Sequence, residues 1–570
     1  MTLYETIVRN AKEKPDRPAY TYFACTRTHG EMLTEVDRTA DALALLELGE
    51  GDRIGLALPN SPALLNLFYA INKLGAVAVL MNPKSPSEEL ARQLKMTECK
   101  ALFFSTISYR AVAGVGRLAP ELSKLYYIAV PILEHMPLTI RFALMGRQFG
   151  KPGMGAVYKA YPETAMTYSE FLKEGRNGIG RAAVPDDSAE AVIIFSGGTG
   201  GTFKAVVHSS AGLYESAVNC LKTEEPLPPD ISMLAILPAF HIFGLSVAIH
   251  LPMVADGCTI LVPVFNLGIV TRIIRRECPT FFPGVPTIFE RLLSYPKFAR
   301  LAAKGKLNFA GFRHGFVGGD HLSDEVRDAF NAVIRENGGD GYISMGYGMS
   351  ECCPVCVNDR TSGEPECIGI PFETTMVRIL KECERDPDHP NAYDPEDILP
   401  EGEIGEIAIA SSYMMLYGYD EEGRRNEPCP VSDGEGTAKR WLRTGDLGCV
   451  RDGKLFYRCR ERRIIKVSGN TIFADSIERV IEENVPTVVK AYVVPVPHAS
   501  RGHVAYAFAE TAGEMPDDAL LEVVQRTCKD KMISYAIPAG LTQITPQEVP
   551  RTAIGKIAWG KLENRAKELI

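Results

Sequence analysis

Short apolar runs that alternate with helical stretches constrain the fold of this chain more than any other feature of its sequence. The runs have the length of strands and are rich in Val, Ile, Leu and Phe, as expected for strands buried on both faces. They lie at 53–59, 76–82, 101–105, 191–195, 232–238 and 259–264, with helical stretches such as 63–74 and 322–336 among them. This alternation predicts an α/β fold in which helices wrap parallel or mixed sheets.

The chain is long enough for more than one hydrophobic core, and its sequence pattern changes twice along its length. It has 570 residues, whereas one domain takes roughly 150. Beyond about residue 400 short strands and turns predict a β-rich subdomain, and the charged run ERRIIK at 461–466 predicts a hinge. We therefore predict a large N-terminal domain over 1–460 and a small, mobile α+β domain over 461–570. Within the small domain the pattern predicts helices at 475–483 and 517–532 and a strand at 491–495.

A glycine-rich loop follows the apolar run at 191–195. The loop, SGGTGGTFK at 196–204, places four glycines beside three hydroxyl side chains and closes with Lys204. Glycines let backbone N–H groups approach an anion, so the loop suits phosphate, with a flexible surface turn as the alternative. It lacks the Lys-Ser/Thr pair of a Walker loop, and Phe203 stands where a dinucleotide fingerprint needs glycine. Both of those nucleotide-binding classes are therefore excluded.

Composition and charge narrow the classes of function. A net charge of −9 and the lack of a basic block argue against nucleic acid as a main partner. The 14 cysteines are scattered and the N-terminal residues lack the apolar core of a signal peptide, which predicts a cytoplasmic location. Cys352, Cys353 and Cys356 cluster without a second pair at zinc spacing, which favours buried thiols over a metal site.

Two segments bear on membrane association. Residues 231–255 contain no Asp, Glu, Lys or Arg, but Pro238, Gly244 and Pro252 interrupt them. A buried strand, loop and helix is therefore favoured over a membrane span. Residues 131–159 interleave apolar with basic positions, a pattern compatible with peripheral membrane contact through an amphipathic helix; an ordinary surface helix or a long connection is the alternative.

Further motifs follow the glycine loop in a fixed order. They are LPAFHIFG at 237–244, VGGDHLS at 317–323, GYGMSE at 346–351, GEIGEI at 402–407, WLRTGDLG at 441–448, CRERRIIKVSGNTI at 459–472 and PRTAIGK at 550–556. Their order and spacing resemble the adenylate-forming (AMP-binding) superfamily, which includes acyl-CoA synthetases, nonribosomal adenylation domains and firefly luciferase. The resemblance implies an acyl-CoA synthetase that joins a carboxylate to the α-phosphate of ATP, releases pyrophosphate, and then transfers the acyl group from AMP to a thiol.

The resemblance also assigns roles to individual residues. It implies that Lys204 holds the β,γ-phosphates, that Ser350 donates to the α-phosphate and that Glu351 binds Mg²⁺. Lys556 is expected to bridge the carboxylate and the α-phosphate in the transition state of adenylation. The remaining residues expected to bind ATP are Ser196, Gly197, Gly198, Thr199, Gly200, Gly201, Thr202, Gly319, Asp320, Gly346, Tyr347, Gly348, Asp446 and Arg460.

The sequence also gives predictions for the acyl and thiol sites. Phe240, His241 and Gly244 are predicted to line the acyl pocket, although a hydrogen-bonded core histidine is an equal interpretation of His241. His241 stands where amino-acid-activating members carry Asp, and its neighbours are apolar, which favours a hydrophobic, in particular a fatty, acid. Coenzyme A is the expected thiol, with a separate carrier protein as the alternative. The hinge and the thiol tunnel are assigned to Arg462, Ser468 and Gly469.

The glycine loop departs from the family's usual S-S-G-T-T-G-x-P-K-G. Gly197 replaces a serine, Gly200 a threonine, Phe203 the proline and Ala205 the final glycine. Two hydroxyl donors are therefore missing. This departure motivates a second hypothesis, a nucleotide- or acyl-binding relative with little catalysis, whereas retention of the charged motif residues favours the enzyme.

Overall fold

The protein is a mixed α/β structure, as the alternation of apolar runs and helical stretches predicts. The computed structural model describes residues 1–131, 157, 159–161, 163–175, 186–197, 203–320, 322–358, 364, 366–381, 385–386, 389–431, 439–460, 463–467, 470–498, 501–513, 515–532, 534–551 and 557–569. Within these residues the strands form four sheets, of nine, nine, four and five strands.

The first nine-stranded sheet carries the glycine loop at its centre. Its strands follow the order Arg425–Asn426, Tyr417–Asp420, Phe203–Ser209, Glu190–Gly197, Val77–Leu80, Arg53–Ala57, Ala101–Ser105, Tyr126–Val130 and Ala165–Thr167. The six strands from Glu190–Gly197 to Ala165–Thr167 are parallel, and Phe203–Ser209 returns antiparallel to Glu190–Gly197. Ligands of such sheets bind beyond the carboxyl ends of the parallel strands. The strand Glu190–Gly197 ends at that edge, where the loop begins.

The second nine-stranded sheet carries most of the later motifs. Its main path is His314–Val317, Tyr342–Met349, Cys352–Val357, Cys367–Pro371, Lys454–Arg460, Lys439–Arg451, Gly405–Ser411 and Thr375–Leu380, and Cys429–Val431 pairs with Lys439–Arg451. The four-stranded sheet has the order Ser232–Ala235, Cys258–Leu261, Pro18–Tyr22 and Cys25–Thr28.

The C-terminal part forms its own five-stranded sheet. The order is Asn470–Phe473, Ile464–Val467, Gly502–Thr511 and Val488–His498, with Gly540–Gln543 paired to Gly502–Thr511. The predicted hinge segment 461–466 thus supplies the start of a strand at Ile464. The predicted boundary after residue 460 falls between the second sheet and this small sheet.

Helices cover the sheets, and several begin at a capping side chain. The Ser209 hydroxyl accepts from the Gly212 N–H at the start of Ser210–Lys222, and Ser61 caps Pro62–Lys73 in the same way. The other α-helices are Leu3–Glu13, His29–Leu45, Ser87–Met96, Tyr109–Leu118, Tyr168–Glu174, Leu251–Val254, Leu267–Glu277, Pro286–Leu293, Pro296–Ala302, Asp324–Glu336, Ala474–Asn484, Asp517–Lys531 and Trp559–Leu569. The last three belong to the small domain.

The uncharged segment 231–255 is a core element. It contains the strand Ser232–Ala235, a π-helical stretch over Gly244–His250 and the helix Leu251–Val254, all mostly buried. Nowhere in the described chain is a helix both long and apolar enough to cross a bilayer. Residues 132–156 and 158 of the predicted membrane-contact segment lie outside the described residues.

The clustered cysteines lie buried on one strand. Cys352 and Cys356 pack into one hydrophobic core and Cys353 into another, because side chains alternate between the two faces of a strand. The described residues contain no group of three or more His, Cys, Asp or Glu side chains placed to hold a metal ion.

Buried histidines predict a fall in stability at acidic pH. Burial lowers the pKa of His250 to about 3, from an ordinary value near 6.5. The unfolded chain therefore binds a proton that the folded chain rejects, so stability is lost as the pH falls from about 6.5 towards 3, at up to about 1.4 kcal/mol per pH unit. We expect His250→Leu to show a smaller fall in melting temperature between pH 7 and pH 5 than the native protein. Equal falls in the two proteins would contradict this account.

Candidate functional site

A cleft of about 3320 Å³ separates the large N-terminal part from the small C-terminal domain. Its wall on the large part includes the carboxyl ends of the strands Val77–Leu80 and Glu190–Gly197 and the motif strands of the second sheet. Its opposite wall includes Asp475, Arg479 and Trp559 of the small domain. The cleft therefore lies where the parallel sheet, the second sheet and the small domain meet.

The two ends of the glycine loop lie at the cleft. Ser196 and Lys204 are paired across the antiparallel strands Glu190–Gly197 and Phe203–Ser209, and both line the cleft. The loop is shorter than the sequence suggests, because the strands extend to Gly197 on one side and back to Phe203 on the other. Gly198, Thr199, Gly200, Gly201 and Thr202 lie outside the described residues. Lys204 is exposed towards the cleft, as a charge for binding an anion requires.

The GYGMSE motif forms a hairpin at the cleft. Gly346, Tyr347 and Gly348 belong to the strand Tyr342–Met349, which pairs antiparallel with Cys352–Val357. Ser350 and Glu351 form the two-residue turn between the paired residues Met349 and Cys352. All of the predicted residues of this motif line the cleft. The motif therefore forms the end of a strand and a two-residue turn.

The acidic side chain at the turn is Glu351. Burial raises the pKa of its carboxyl, and the positive charges of Lys204 and Arg460 act in the opposite direction. Mg²⁺ in nucleotide sites is held by one or two carboxylates together with substrate phosphates and waters. A single partly buried carboxylate that lines the cleft within electrostatic range of Lys204 fits that donor set.

Tyr347, Asp446 and Arg460 form a connected polar group across three strands. The Tyr347 hydroxyl donates to Asp446 Oδ2 at 2.6 Å, and Arg460 Nε lies 3.0 Å from Asp446 Oδ1. Burial, followed by the Asp446 charge, raises the pKa of Tyr347, which keeps its hydroxyl protonated and able to donate. The Asp446 charge also raises the pKa of Arg460. Asp446 is paired with Arg460 inside a strand, so the ordinary turn role of a TGD sequence is not the role found here.

Access to the Asp446 carboxylate depends on its neighbours. Asp446 is only 1% exposed, whereas the Arg460 side chain is 58% exposed. A ligand hydroxyl would therefore reach the carboxylate only if the exposed Arg460 side chain moved aside. Both residues line the cleft.

Glu406 supports the site from behind and was not singled out by the sequence. Its carboxylate accepts from Arg443 Nε at 2.8 Å and from the Gly445 N–H at 3.0 Å, and it also pairs with Arg385. It thereby holds the backbone immediately before Asp446. The signal was present in the sequence, since Glu406 is the one charged residue in the apolar strand Gly405–Ser411.

The predicted acyl-pocket residues differ in position. Phe240 and His241 line the cleft together with Gly319 and Asp320. The ring centroids of Phe240 and His241 lie 4.8 Å apart. Gly244 is buried beneath them and is not among the described lining residues. A Cβ at Gly244 would come within 2.1 Å of Pro238 O, so close backbone packing accounts for this glycine.

An ion pair and a hydrogen bond join the small domain to the large part at the edge of the cleft. Glu366 contacts Arg458 and lies 3.5 Å from the Arg479 guanidinium of the small domain. Arg458 also donates to the Ser476 hydroxyl at 3.1 Å. Four further predicted residues, Arg462, Ser468, Gly469 and Lys556, lie outside the described residues.

The fold and the cleft define an adenylate-forming enzyme, and comparison with known families agrees. The sequence model of the family described as AMP-binding enzyme matches residues 7–419, and that of the AMP-binding enzyme C-terminal domain matches residues 476–556. The chain belongs to the AMP-binding enzyme family. The resemblance drawn from the motifs is thereby confirmed.

Proteins with different names resemble this chain at similar levels of sequence identity. The long-chain-fatty-acid–CoA ligase of Bacillus subtilis (strain 168) is 25% identical over 570 residues, which cover 98% of this chain and 93% of the relative. The 4-coumarate–CoA ligase 2 of Oryza sativa subsp. japonica is 25% identical over 589 residues, covering 100% and 92%. The crystal structure of the anthranilate CoA ligase AuaEII in complex with anthranoyl-AMP shares the fold, with a TM-score of 0.76, 21% identity and coverage of 100% and 98%.

Proposed function

We propose that this protein is an acid–thiol ligase that adenylates a hydrophobic, in particular a fatty, carboxylic acid and transfers the acyl group to coenzyme A. The observation that carries the proposal is the convergence of Lys204, Tyr347, Glu351, Asp446 and Arg460 on one cleft. An ATP site needs charged groups that bind the phosphates or their metal ion, and an acceptor for the ribose hydroxyls. The names of the relatives from Bacillus subtilis and rice support CoA as the thiol.

In the first half-reaction a carboxylate oxygen of the acid attacks the α-phosphorus of ATP. The bond between the α-phosphorus and the bridging oxygen breaks, and pyrophosphate leaves with the electron pair. We assign the β,γ-phosphates to the loop between Ser196 and Lys204, and the α-phosphate to Ser350 and Lys556. Glu351 would hold Mg²⁺, which neutralises phosphate charge when bound. Phosphoryl chemistry of this kind needs positioning and charge neutralisation more than covalent catalysis.

The nucleoside is assigned to the other side of the cleft. Tyr347 offers a ring face for adenine, with Gly319 and Asp320 opposite, and Asp446 and Arg460 are placed for the ribose. In the second half-reaction the sulfur of the thiol attacks the acyl carbon, and AMP leaves. Arg462, Ser468 and Gly469 are proposed for the hinge and thiol path of that step.

The acid is proposed to bind beside Phe240 and His241. Neither residue carries the negative charge that an α-ammonium group needs, which supports a carboxylic acid without that group. One relative is named a fatty acid ligase, which supports a fatty acid as the substrate. Because other similar proteins are named coumarate and anthranilate ligases, aryl acids are also included among the acids to be tested.

Pyrophosphate release with ATP and Mg²⁺ across short to long fatty, aryl and bile-type acids tests the proposal. We expect release with at least one hydrophobic acid, and thioester formation when CoA is added to the preformed acyl-adenylate. A holo carrier protein is the parallel acceptor, and transfer to it alone would replace CoA in the proposal. Absence of pyrophosphate with every acid would refute the enzyme and favour a binding protein of this fold.

The missing loop hydroxyls predict weakened ATP binding. Gly197→Ser combined with Gly200→Thr restores two donors that can reach phosphate oxygens, and a hydrogen bond to a charged group contributes about 1.5 kcal/mol or more. We expect the double variant to lower the Michaelis constant for ATP by at least about 10-fold, the equivalent of one such hydrogen bond. Gly513→Ser, at an exposed position with open space around it, is the control. An unchanged constant in the double variant would show that backbone N–H groups suffice.

A further inference from the structure

His208 is a buried histidine to which the motifs assign no role. It lies on the strand Phe203–Ser209, four residues after Lys204 and on the same face of that strand. Its Nε2 atom is 2.8 Å from the backbone oxygen of Ser350. The contact therefore joins the strand that leaves the glycine loop to the turn that carries Ser350 and Glu351.

The chemistry of this contact fixes the protonation of the ring. A backbone oxygen only accepts hydrogen bonds, so His208 Nε2 must carry the hydrogen and donate. Burial lowers the pKa of His208 to about 4, and the ring is neutral near pH 7. A neutral imidazole has one N–H, and here that N–H is directed to Ser350 O.

The Ser350–Glu351 turn is held at both of its carbonyls. The Glu351 oxygen accepts from the Met415 N–H at 2.8 Å, a backbone contact that side-chain substitution leaves in place. The Ser350 oxygen accepts from the side chain of His208. A neighbouring bond, from the Leu416 N–H to Val207 O at 2.8 Å, fixes the strand of His208 against the same segment. Of these two contacts to the carbonyls of the turn, only the one to the Ser350 oxygen comes from a side chain.

We propose that His208 is a positioning residue that sets the Ser350–Glu351 turn relative to Lys204, and thereby the geometry in which Mg²⁺ and the phosphates of ATP are bound. The inference rests on the proposed function, since it concerns the same ATP site. Partners that orient a ligating group behave in this way: their loss typically costs about 10- to 100-fold in metal affinity or activity. The position also has a sequence signature: a single histidine lies between the apolar run Ala205–Val207 and the helix-capping Ser209.

Three substitutions at His208 separate donation from packing. His208→Gln keeps an N–H donor at similar reach, His208→Asn keeps an amide that is one methylene shorter, and His208→Leu removes the donor. His250→Leu is the matched control, because His250 is a buried histidine whose described hydrogen bond is to the Tyr69 hydroxyl at 3.2 Å, outside the cleft. Each protein is assayed for melting temperature, for pyrophosphate release and for calorimetric binding of a non-hydrolysable ATP analogue at several Mg²⁺ concentrations.

We expect His208→Leu and His208→Asn to raise the Mg²⁺ concentration for half-maximal analogue binding, and to lower kcat for adenylation, by about 10- to 100-fold. The KM for the acid should stay within about twofold, and His208→Gln should recover most of the loss. His250→Leu should lower the melting temperature without changing the Mg²⁺ titration. The proposal would be overturned if the Gln and Asn variants gave the same Mg²⁺ titration and kcat as each other, or if both gave the native Mg²⁺ titration. Either result would decide the question even if His208→Leu fails to fold. If the native protein releases no pyrophosphate, the proposed function fails, while the analogue titrations still decide the role of His208.

Discussion

Replacement of Lys556 by Ala is expected to lower the rate of acyl-adenylate formation by about 10²- to 10³-fold. We propose that this lysine, in the motif PRTAIGK, bridges the attacking carboxylate and the α-phosphate, as the resemblance to the family implies. A preorganised charge at the position where negative charge develops typically contributes that much to the rate. The measurement is pyrophosphate release at saturating ATP. Thioester formation from a preformed acyl-adenylate should continue, because the role proposed for the lysine is confined to the first half-reaction.

Lys567→Ala is the control for this prediction. Lys567 is an exposed lysine on the C-terminal helix Trp559–Leu569, and its loss removes the same charge from the same domain. The control should adenylate at the native rate. If both variants slow adenylation equally, a general change in the charge of the small domain is the cause, and if neither does, the role assigned to Lys556 is wrong.

Replacement of Glu406 by Gln is expected to destabilise the protein by about 3 to 5 kcal/mol. Arg443 and Glu406 are 2% and 4% exposed, and breaking a buried ion pair by removing one charge leaves the other uncompensated in a low-dielectric interior. The midpoint of urea unfolding measures the loss. Because the Glu406 carboxylate also accepts from the Gly445 N–H, the Michaelis constant for ATP should rise as well.

The same motif provides the matched control. Glu403 occupies the equivalent place in the first half of GEIGEI but is exposed, so Glu403→Gln should change stability by no more than about 0.5 kcal/mol. A Glu406→Gln protein as stable as the Glu403→Gln protein would show that Arg443 is stabilised by other groups. A lowered stability with an unchanged Michaelis constant would separate the ion pair from the ATP site.

The elements with strong periodicity were predictable. The run at 101–105 is the strand Ala101–Ser105, and the helix expected at 517–532 is Asp517–Lys531. The run at 232–238 gave only the strand Ser232–Ala235, because hydrophobicity marks burial and not the point where strand pairing ends. The helix expected from 322 begins at Asp324, where Ser323 supplies the cap.

The site was predictable as a set of residues but not as a set of contacts. The motifs named Tyr347, Asp446 and Arg460 separately. The hydrogen bond between Tyr347 and Asp446 joins strands about a hundred residues apart in sequence, and the ion pair between Asp446 and Arg460 depends on the register of two neighbouring strands. Glu406 and His208 were missed for the same reason. Each interrupts an apolar stretch of its strand, which marks the residue, but no local pattern records which backbone group of a distant motif it contacts.

By itself the sequence determined the α/β class, the order of the motifs and the family, because periodicity and motif spacing are local properties of the chain. Only the tertiary structure showed that the GYGMSE motif forms a hairpin and that Gly244 allows close packing. It also showed that Asp446 lies in a strand, hydrogen-bonded to Tyr347 and ion-paired with Arg460. These outcomes depend on sheet register and burial. Both are set by the free energy of packing distant segments together, which no single segment specifies.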